Sequence, residues 1–247
     1  MIFKNDYVIG MEDIGRGNQA TNLAILTMME DVGSLHSASV GYGVMDIERR
    51  MRAWVILDWK VTVVRRPYYN ETIHAATWAS KLDRACAYRD FELTDESGEL
   101  VAVGTSRWVL MDLTLRRPVR LAGELAGLFE MEEDKNALPE EENHFRDLLN
   151  PDELTILESK EYKVERRDID INGHMHNLSY LDVAYEMLPQ KVFEQMLQQG
   201  ECNHIRIQYK KEIRSMDHVL CEYAYIDGKH YLVMKVEDRV HTIVALY

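Results

Sequence analysis

Apolar residues along this chain fall into short alternating runs separated by turn formers, with two stretches of helical periodicity. The alternation predicts strands over 53–64, 72–79, 85–94 and 100–113 in the first half. In the second half it predicts strands over 204–209, 219–226, 231–236 and 241–246. Gly98 and Asp227-Gly228 sit where tight turns belong. Leu26, Met29 and Val32 mark one apolar helix face, and Leu178, Leu181, Tyr185 and Leu188 mark another, the second run extending to Pro189. Asn22 and Asn177 stand where each helix should be capped.

These elements read as one unit written twice. Gly17-Asn-Gln19-Ala-Thr-Asn22-Leu-Ala-Ile-Leu26 aligns with Asn172-Gly-His174-Met-His-Asn177-Leu-Ser-Tyr-Leu181. The strand-to-turn segment from Val63 through Arg66 to Ile73 parallels that from Tyr209 through Glu212 to Val219. Two copies of a helix followed by about four antiparallel strands predict an α+β chain, each half a helix wrapped by a curved sheet. The expected division is a first domain over 1–125, an acidic linker over 126–158 and a second domain over 159–247. The stretch from Glu130 to Glu142 holds seven carboxylates against one lysine and includes Pro139, which reads as a solvated linker.

The copies differ where chemistry would sit. Asp168-Ile-Asp170-Ile-Asn172-Gly-His174-Met-His176 places a carboxylate, an amide and an imidazole at every second residue, just before a helix. Tyr209-Lys-Lys-Glu212 ends a strand in a second carboxylate. In the first half the aligned residues are Gly15 for Asp170, Gly17 for Asn172, Gln19 for His174 and Arg66 for Glu212. A structural motif tends to persist in both copies, whereas a catalytic one needs a single copy. The active site is therefore expected in the second half. The bland alternative is that Asp170 and Asn172 are turn and capping residues. His174 and His176 lack a further ligand at metal-binding spacing, so neither a metal nor a cofactor is expected.

Net charge narrows the partners. At −13 over 247 residues it disfavours nucleic acid and anionic membrane surfaces. No run of 18 apolar residues suggests membrane insertion, and the opening residues lack the order of a secretory leader. The three cysteines, Cys86, Cys202 and Cys221, show no metal-ligand spacing and suit a reducing, cytoplasmic compartment.

The chain resembles the acyl-acyl-carrier-protein thioesterases of plants and bacteria, which have a tandem (double) hot-dog fold. Arg166-Arg-Asp-Ile-Asp170-Ile-Asn172-Gly-His174-Met-His-Asn177-Leu-Ser-Tyr180 is similar to the family's Asp-x-Asn-x-His stretch, and Tyr209-Lys-Lys-Glu212 to the stretch carrying its catalytic glutamate. Val64-Arg-Arg-Pro67, Thr77-Trp78 and the segment from Ser106 to Pro118 resemble family segments of the first half. Plant members often carry Cys directly after that glutamate. Here the position is Ile213, so the resemblance implies hydrolysis without a thiol nucleophile.

On this reading Glu212 activates water, Asp170 shares its hydrogen-bond network, and Asn172 and His174 orient water and thioester carbonyl. Backbone N–H groups from His176 to Ser179 are the expected oxyanion hole, and direct carboxylate attack giving an anhydride stays open. The resemblance also implies that the first half holds the acyl chain, with Trp54, Met28 and Met29 against it. Arg166 and Arg167 would guide the phosphopantetheine arm of an acyl carrier protein. A homodimer is the favoured assembly. Rival readings are an acyl-CoA thioesterase, a hot-dog hydratase and a non-catalytic acyl-binding module.

Overall fold

The computed structural model describes residues 1–121, 123–139, 145, 148–151 and 154–247, without the side chains of Glu124 and Leu197. The chain divides into two compact units, Met1–Phe145 and Arg146–Tyr247.

In the first unit, β1 (Phe3–Val8) leads through a loop into α1 (Asn22–Ser39) and the short α2 (Ile47–Arg50). Four long strands follow: β2 (Arg52–Val63), β3 (Thr72–Leu82), β4 (Cys86–Asp95) and β5 (Leu100–Asp112). Their antiparallel order is β1-β3-β4-β5-β2, with the two-residue β6 (Arg117–Pro118) on β5. α1 packs on β1 and β3 and buries Ile25, Leu26, Met29 and Val32 at helical spacing. Phe91 of the sheet lies against Gly33 of α1 and packs on Trp59 at 5.1 Å, and Trp78 is buried as well. The α1 cap is one residue earlier than its sequence suggests. Thr21 Oγ1 accepts from Ala24 N at 3.1 Å, and Asn22 is already helical and buried.

The second unit repeats this plan. β7 (Glu158–Lys163) leads through a loop into α4 (Ser179–Met187) and α5 (Gln190–Gln199). Then come β8 (His204–Tyr209), β9 (His218–Ile226), β10 (Lys229–Val236) and β11 (Arg239–Leu246). The strand order β7-β9-β10-β11-β8 is that of the first unit, strand for strand. Asn177 is not the cap of α4: Leu178 holds that position, with no side-chain bond to the first turn. The second helix is also not one long helix. Leu188, at φ −60° and ψ 145°, is forced out of helical geometry by the ring of Pro189, and a second helix starts beyond it.

The described residues at the start of the expected linker, up to Leu138, pack on the first unit. α3 (Gly123–Phe129) sets Leu125 and Phe129 against Ala79 and Leu110. Beyond it, Trp78 Nε1 donates to Lys135 O at 2.8 Å, Ala137 N donates to Asp90 Oδ2 at 3.0 Å, and Leu138 is buried. The division between the two units, after Phe145, falls inside the expected linker of 126–158. The sequence conceals this packing because its carboxylates outnumber the few apolar anchors, Leu125, Phe129 and Leu138. The acidic residues Glu140–Glu142 lie outside the described residues.

If the Thr21 hydroxyl caps α1, Thr21→Ala should lower the free energy of unfolding by about 1 kcal/mol in urea titrations. Unchanged stability would remove the cap.

Candidate active site

The loop before each main helix folds the same way in both units. Ile14 bridges Ala20 in the first copy and Ile169 bridges Met175 in the second. Gln19 bridges Tyr68 where His174 bridges Arg214. Gly15 N donates to Gln19 O at 2.9 Å, and Asp170 N donates to His174 O at 2.8 Å. Ala20 N reaches Pro67 O as Met175 N reaches Ile213 O, both at 2.8 Å. An anchor shared by both copies lies beneath: Asp13 Oδ2 accepts from Gly10 N, and Asp168 Oδ2 from Glu165 N, both at 2.7 Å. The copies thus match bond for bond at the positions aligned by sequence. Asp168, which keeps its counterpart Asp13, is a scaffold residue. It is buried and also accepts from Tyr162 Oη at 2.7 Å.

On this shared frame only the second copy carries the polar set. Asp170 Oδ1 accepts from Asn172 N at 2.8 Å and His174 N at 3.1 Å, and its Oδ2 accepts from Asn172 Nδ2 at 3.1 Å. The carboxylate is thereby committed to shaping the loop and aiming the Asn172 amide. His174 Nε2 lies 3.3 Å from Glu212 Oε2, while Arg214 donates to Glu212 Oε1. The structure therefore brings His174 and Glu212 together as one pair, and Asp170 and Asn172 as another, joined through the backbone of His174. In the first copy the position of Glu212 is filled by Arg66, whose Nη1 donates to Ala20 O at 3.2 Å across the loop.

Three of the four amides expected to form the oxyanion hole are engaged within the turn. His176 N donates to Asp168 O at 2.7 Å, Ser179 N to His176 O at 2.9 Å, and Leu178 N to His176 Nδ1 at 3.3 Å. These amides are already used to turn the chain into α4. The exposed Asn172 side chain is the better donor, since Nδ2 keeps a second hydrogen beyond the one given to Asp170.

The remaining candidates divide between the units. Trp54 of β2 is half-buried, its ring edge-on to Phe129 at 6.2 Å. Met28 and Met29 are buried on α1. Arg166 and Arg167 are exposed on a single 3-10 turn in the second unit. Cys221 is buried, which pushes its thiol up to about 12, and Ile213 beside Glu212 is buried as well. No cluster of three potential metal ligands occurs among the described residues.

Comparison with known proteins adds to this geometry. The family model described as acyl-ACP thioesterase N-terminal domain matches residues 1–129, and that described as acyl-ACP thioesterase C-terminal domain matches residues 152–242. An oleoyl-acyl carrier protein thioesterase of Arabidopsis thaliana is 25% identical over 229 residues, covering 87% of this chain and 61% of that protein. The chain spans about 60% of the length of the curated relatives it matches. Among solved structures, the 12:0-ACP thioesterase from Umbellularia californica superposes with a TM-score of 0.83 at 21% identity, covering 99% of this chain and 96% of that one. An acyl-ACP thioesterase from Bacteroides thetaiotaomicron superposes with a TM-score of 0.81 at 17% identity, covering 99% and 96%. These likenesses show the fold: each unit is a hot dog, in tandem.

Because the Asp170 carboxylate holds the His174 amide, Asp170→Ala should speed hydrogen exchange at that amide by about tenfold or more. Exchange mass spectrometry showing no change would mean that the loop is shaped without it.

Proposed function

The chain belongs to the acyl-ACP thioesterase family, and on that premise we propose that it hydrolyses the thioester of a fatty acyl-acyl carrier protein, releasing free fatty acid in fatty acid biosynthesis. The observation that carries this reading is the His174–Glu212 pair at 3.3 Å, built into one copy of a loop whose other copy holds Gln19 and Arg66. Arg214 restrains Oε1 of Glu212 and leaves Oε2 facing His174.

Glu212 takes a proton from water as the water oxygen attacks the thioester carbon. The second Nδ2 hydrogen of Asn172, aimed by Asp170, donates to the carbonyl oxygen as it becomes an oxyanion. Collapse of the tetrahedral adduct breaks the carbon–sulfur bond. The departing pantetheine thiolate recovers the proton through Glu212 and His174. No cysteine takes part, because Ile213 stands beside the base and Cys221 is buried and held as a thiol.

The first unit holds the acyl chain, with the adaptable Met28 and Met29 and the indole of Trp54 lining it. Arg166 and Arg167, exposed side by side on one 3-10 turn, make a local basic patch within a chain of net charge −13. Such a patch suits an acidic carrier protein and its phosphopantetheine arm. A homodimer in the reducing cytoplasm completes the proposal, and the three free cysteines fit that compartment. Among the described residues no helix is long and apolar enough to cross a membrane.

Thiol release from a panel of carrier-protein and CoA thioesters tests this reading. Carrier-protein thioesters should be cleaved in preference, and Glu212→Gln should lower kcat by about 10²–10⁴-fold. Full activity in a folded Glu212→Gln would exclude the base. Preference for CoA thioesters would replace the substrate class, and an absence of thiol release would exclude hydrolysis. A double Arg166→Ala/Arg167→Ala variant should raise KM for carrier-protein thioesters severalfold with kcat retained, most clearly at low salt. Unchanged KM would remove these arginines from docking.

A further inference from the structure

The peptide unit joining Glu212 to Ile213 has both of its polar groups held by buried side chains. Its N–H, on Ile213, donates to Tyr180 Oη at 3.0 Å, and its carbonyl, on Glu212, accepts from His241 Nδ1 at 2.9 Å. Since a carbonyl can only accept, Nδ1 of His241 carries the proton. Tyr180 on α4 and His241 on β11 are each 3% exposed, so neither group is there to meet solvent. A second tyrosine extends the set: Tyr209 packs edge-on to Tyr180 at 5.3 Å and donates to Asn177 O at 2.8 Å, tying down the start of the helix.

The first unit shows what this frame needs when no carboxylate has to be held. Lys210 N and Lys211 N donate to His241 O, just as Val64 N and Arg65 N donate to Val101 O, so Val101 is the counterpart of His241. By the same alignment Ile25 replaces Tyr180, Val63 replaces Tyr209, and Pro67, with no N–H, replaces Ile213. The hot dog is thus built with an apolar residue at all three places, and the polar residues occur only beside Glu212. Burying polar groups in place of well-packed aliphatic ones brings a fold little stability, so their presence calls for another reason.

We propose that Tyr180 and His241 are positioning residues for the reaction, clamping the Glu212–Ile213 peptide from both sides so that the Glu212 carboxylate meets His174. The inference rests on the assignment of Glu212 as the base. Glu212 needs such a clamp because its own side chain is 42% exposed, so packing does little to hold it. A displacement of an ångström in a reacting group costs about 10²-fold in rate.

Four variants of the full chain decide the matter, each checked for folding by thermal unfolding and assayed for kcat and KM on a carrier-protein thioester. They are Glu212→Gln as the reference, Tyr180→Phe, His241→Leu and His241→Asn. Asn places its Nδ2 donor as many bonds from Cβ as His places Nδ1, so it can keep the bond to Glu212 O. Tyr180→Phe and His241→Leu should each lower kcat by about 10- to 10²-fold with KM within about twofold, and His241→Asn should recover most of that loss. Parental kcat in a folded Tyr180→Phe or His241→Leu removes that residue from the clamp. Equal loss in His241→Asn and His241→Leu makes His241 a packing residue only. Should His241→Leu fail to fold, Tyr180→Phe decides through the same kcat together with hydrogen exchange at the Ile213 amide, which should quicken. Retained activity in Glu212→Gln would instead sink the base assignment beneath the clamp. Its loss, beside full activity in both clamp variants, would sink the clamp alone.

Discussion

The site depends on one short antiparallel bridge. His174 lies opposite Arg214, and Met175 N donates to Ile213 O at 2.8 Å. Without that bridge the Asp170–His176 loop and the end of β8 would be independent segments, and the imidazole and carboxylate they carry would not share a space. The bridge itself is anchored from below by the buried Asp168, which fixes the start of the loop, and from behind by Tyr180, which holds the amide of Ile213. Each layer confines the next: a buried carboxylate shapes a turn, the turn sets a bridge, and the bridge presents two titratable side chains to each other.

Duplication supplies an internal control that a single domain lacks. Bonds present in both units, such as Asp13 with Gly10 and Asp168 with Glu165, belong to the fold. Features confined to one unit need a different explanation. Asp170, Asn172, His174 and Glu212 form such a set, and so do Tyr180, Tyr209 and His241 around them. The first copy has retained the frame and closed the site with Arg66 reaching across to Ala20 O. Its buried α1 face and its aromatic core of Trp59, Trp78 and Phe91 suit an apolar role.

Much of this was legible in the sequence where the pattern was dense. Strands β2–β5 and β8–β11 alternate over many residues with apolar faces, and each was placed to within a few residues. β1 and β7 escaped because Phe-Lys-Asn-Asp-Tyr-Val and Glu-Ser-Lys-Glu-Tyr-Lys bury only every second residue, and only partly, at the edge of each sheet. α3 escaped because it sits beside a dense run of carboxylates. The break between α4 and α5 was signalled by Pro189, which reads equally well as the end of a helix. The Asp170 turn was legible because its bonds are local, spanning two to four residues. The clamp was not, since the partnership of Tyr180 and His241 with one peptide arises only when β11 pairs with β8 and α4 packs behind them. The engagement of the amides of His176, Leu178 and Ser179 was hidden for a related reason: sequence shows where a helix begins but not which of its first amides the preceding turn has already used.

The most direct test of the account is a structure of the full chain with an acyl-pantetheine amide, in which nitrogen replaces the thioester sulfur and the carbonyl is kept. The carbonyl oxygen should lie at hydrogen-bond distance from Asn172 Nδ2, with an ordered water between the carbonyl carbon and Glu212 Oε2. A carbonyl lodged instead at the Gly15–Gln19 loop of the first unit, or a Glu212 turned away from the bound carbonyl, would contradict it.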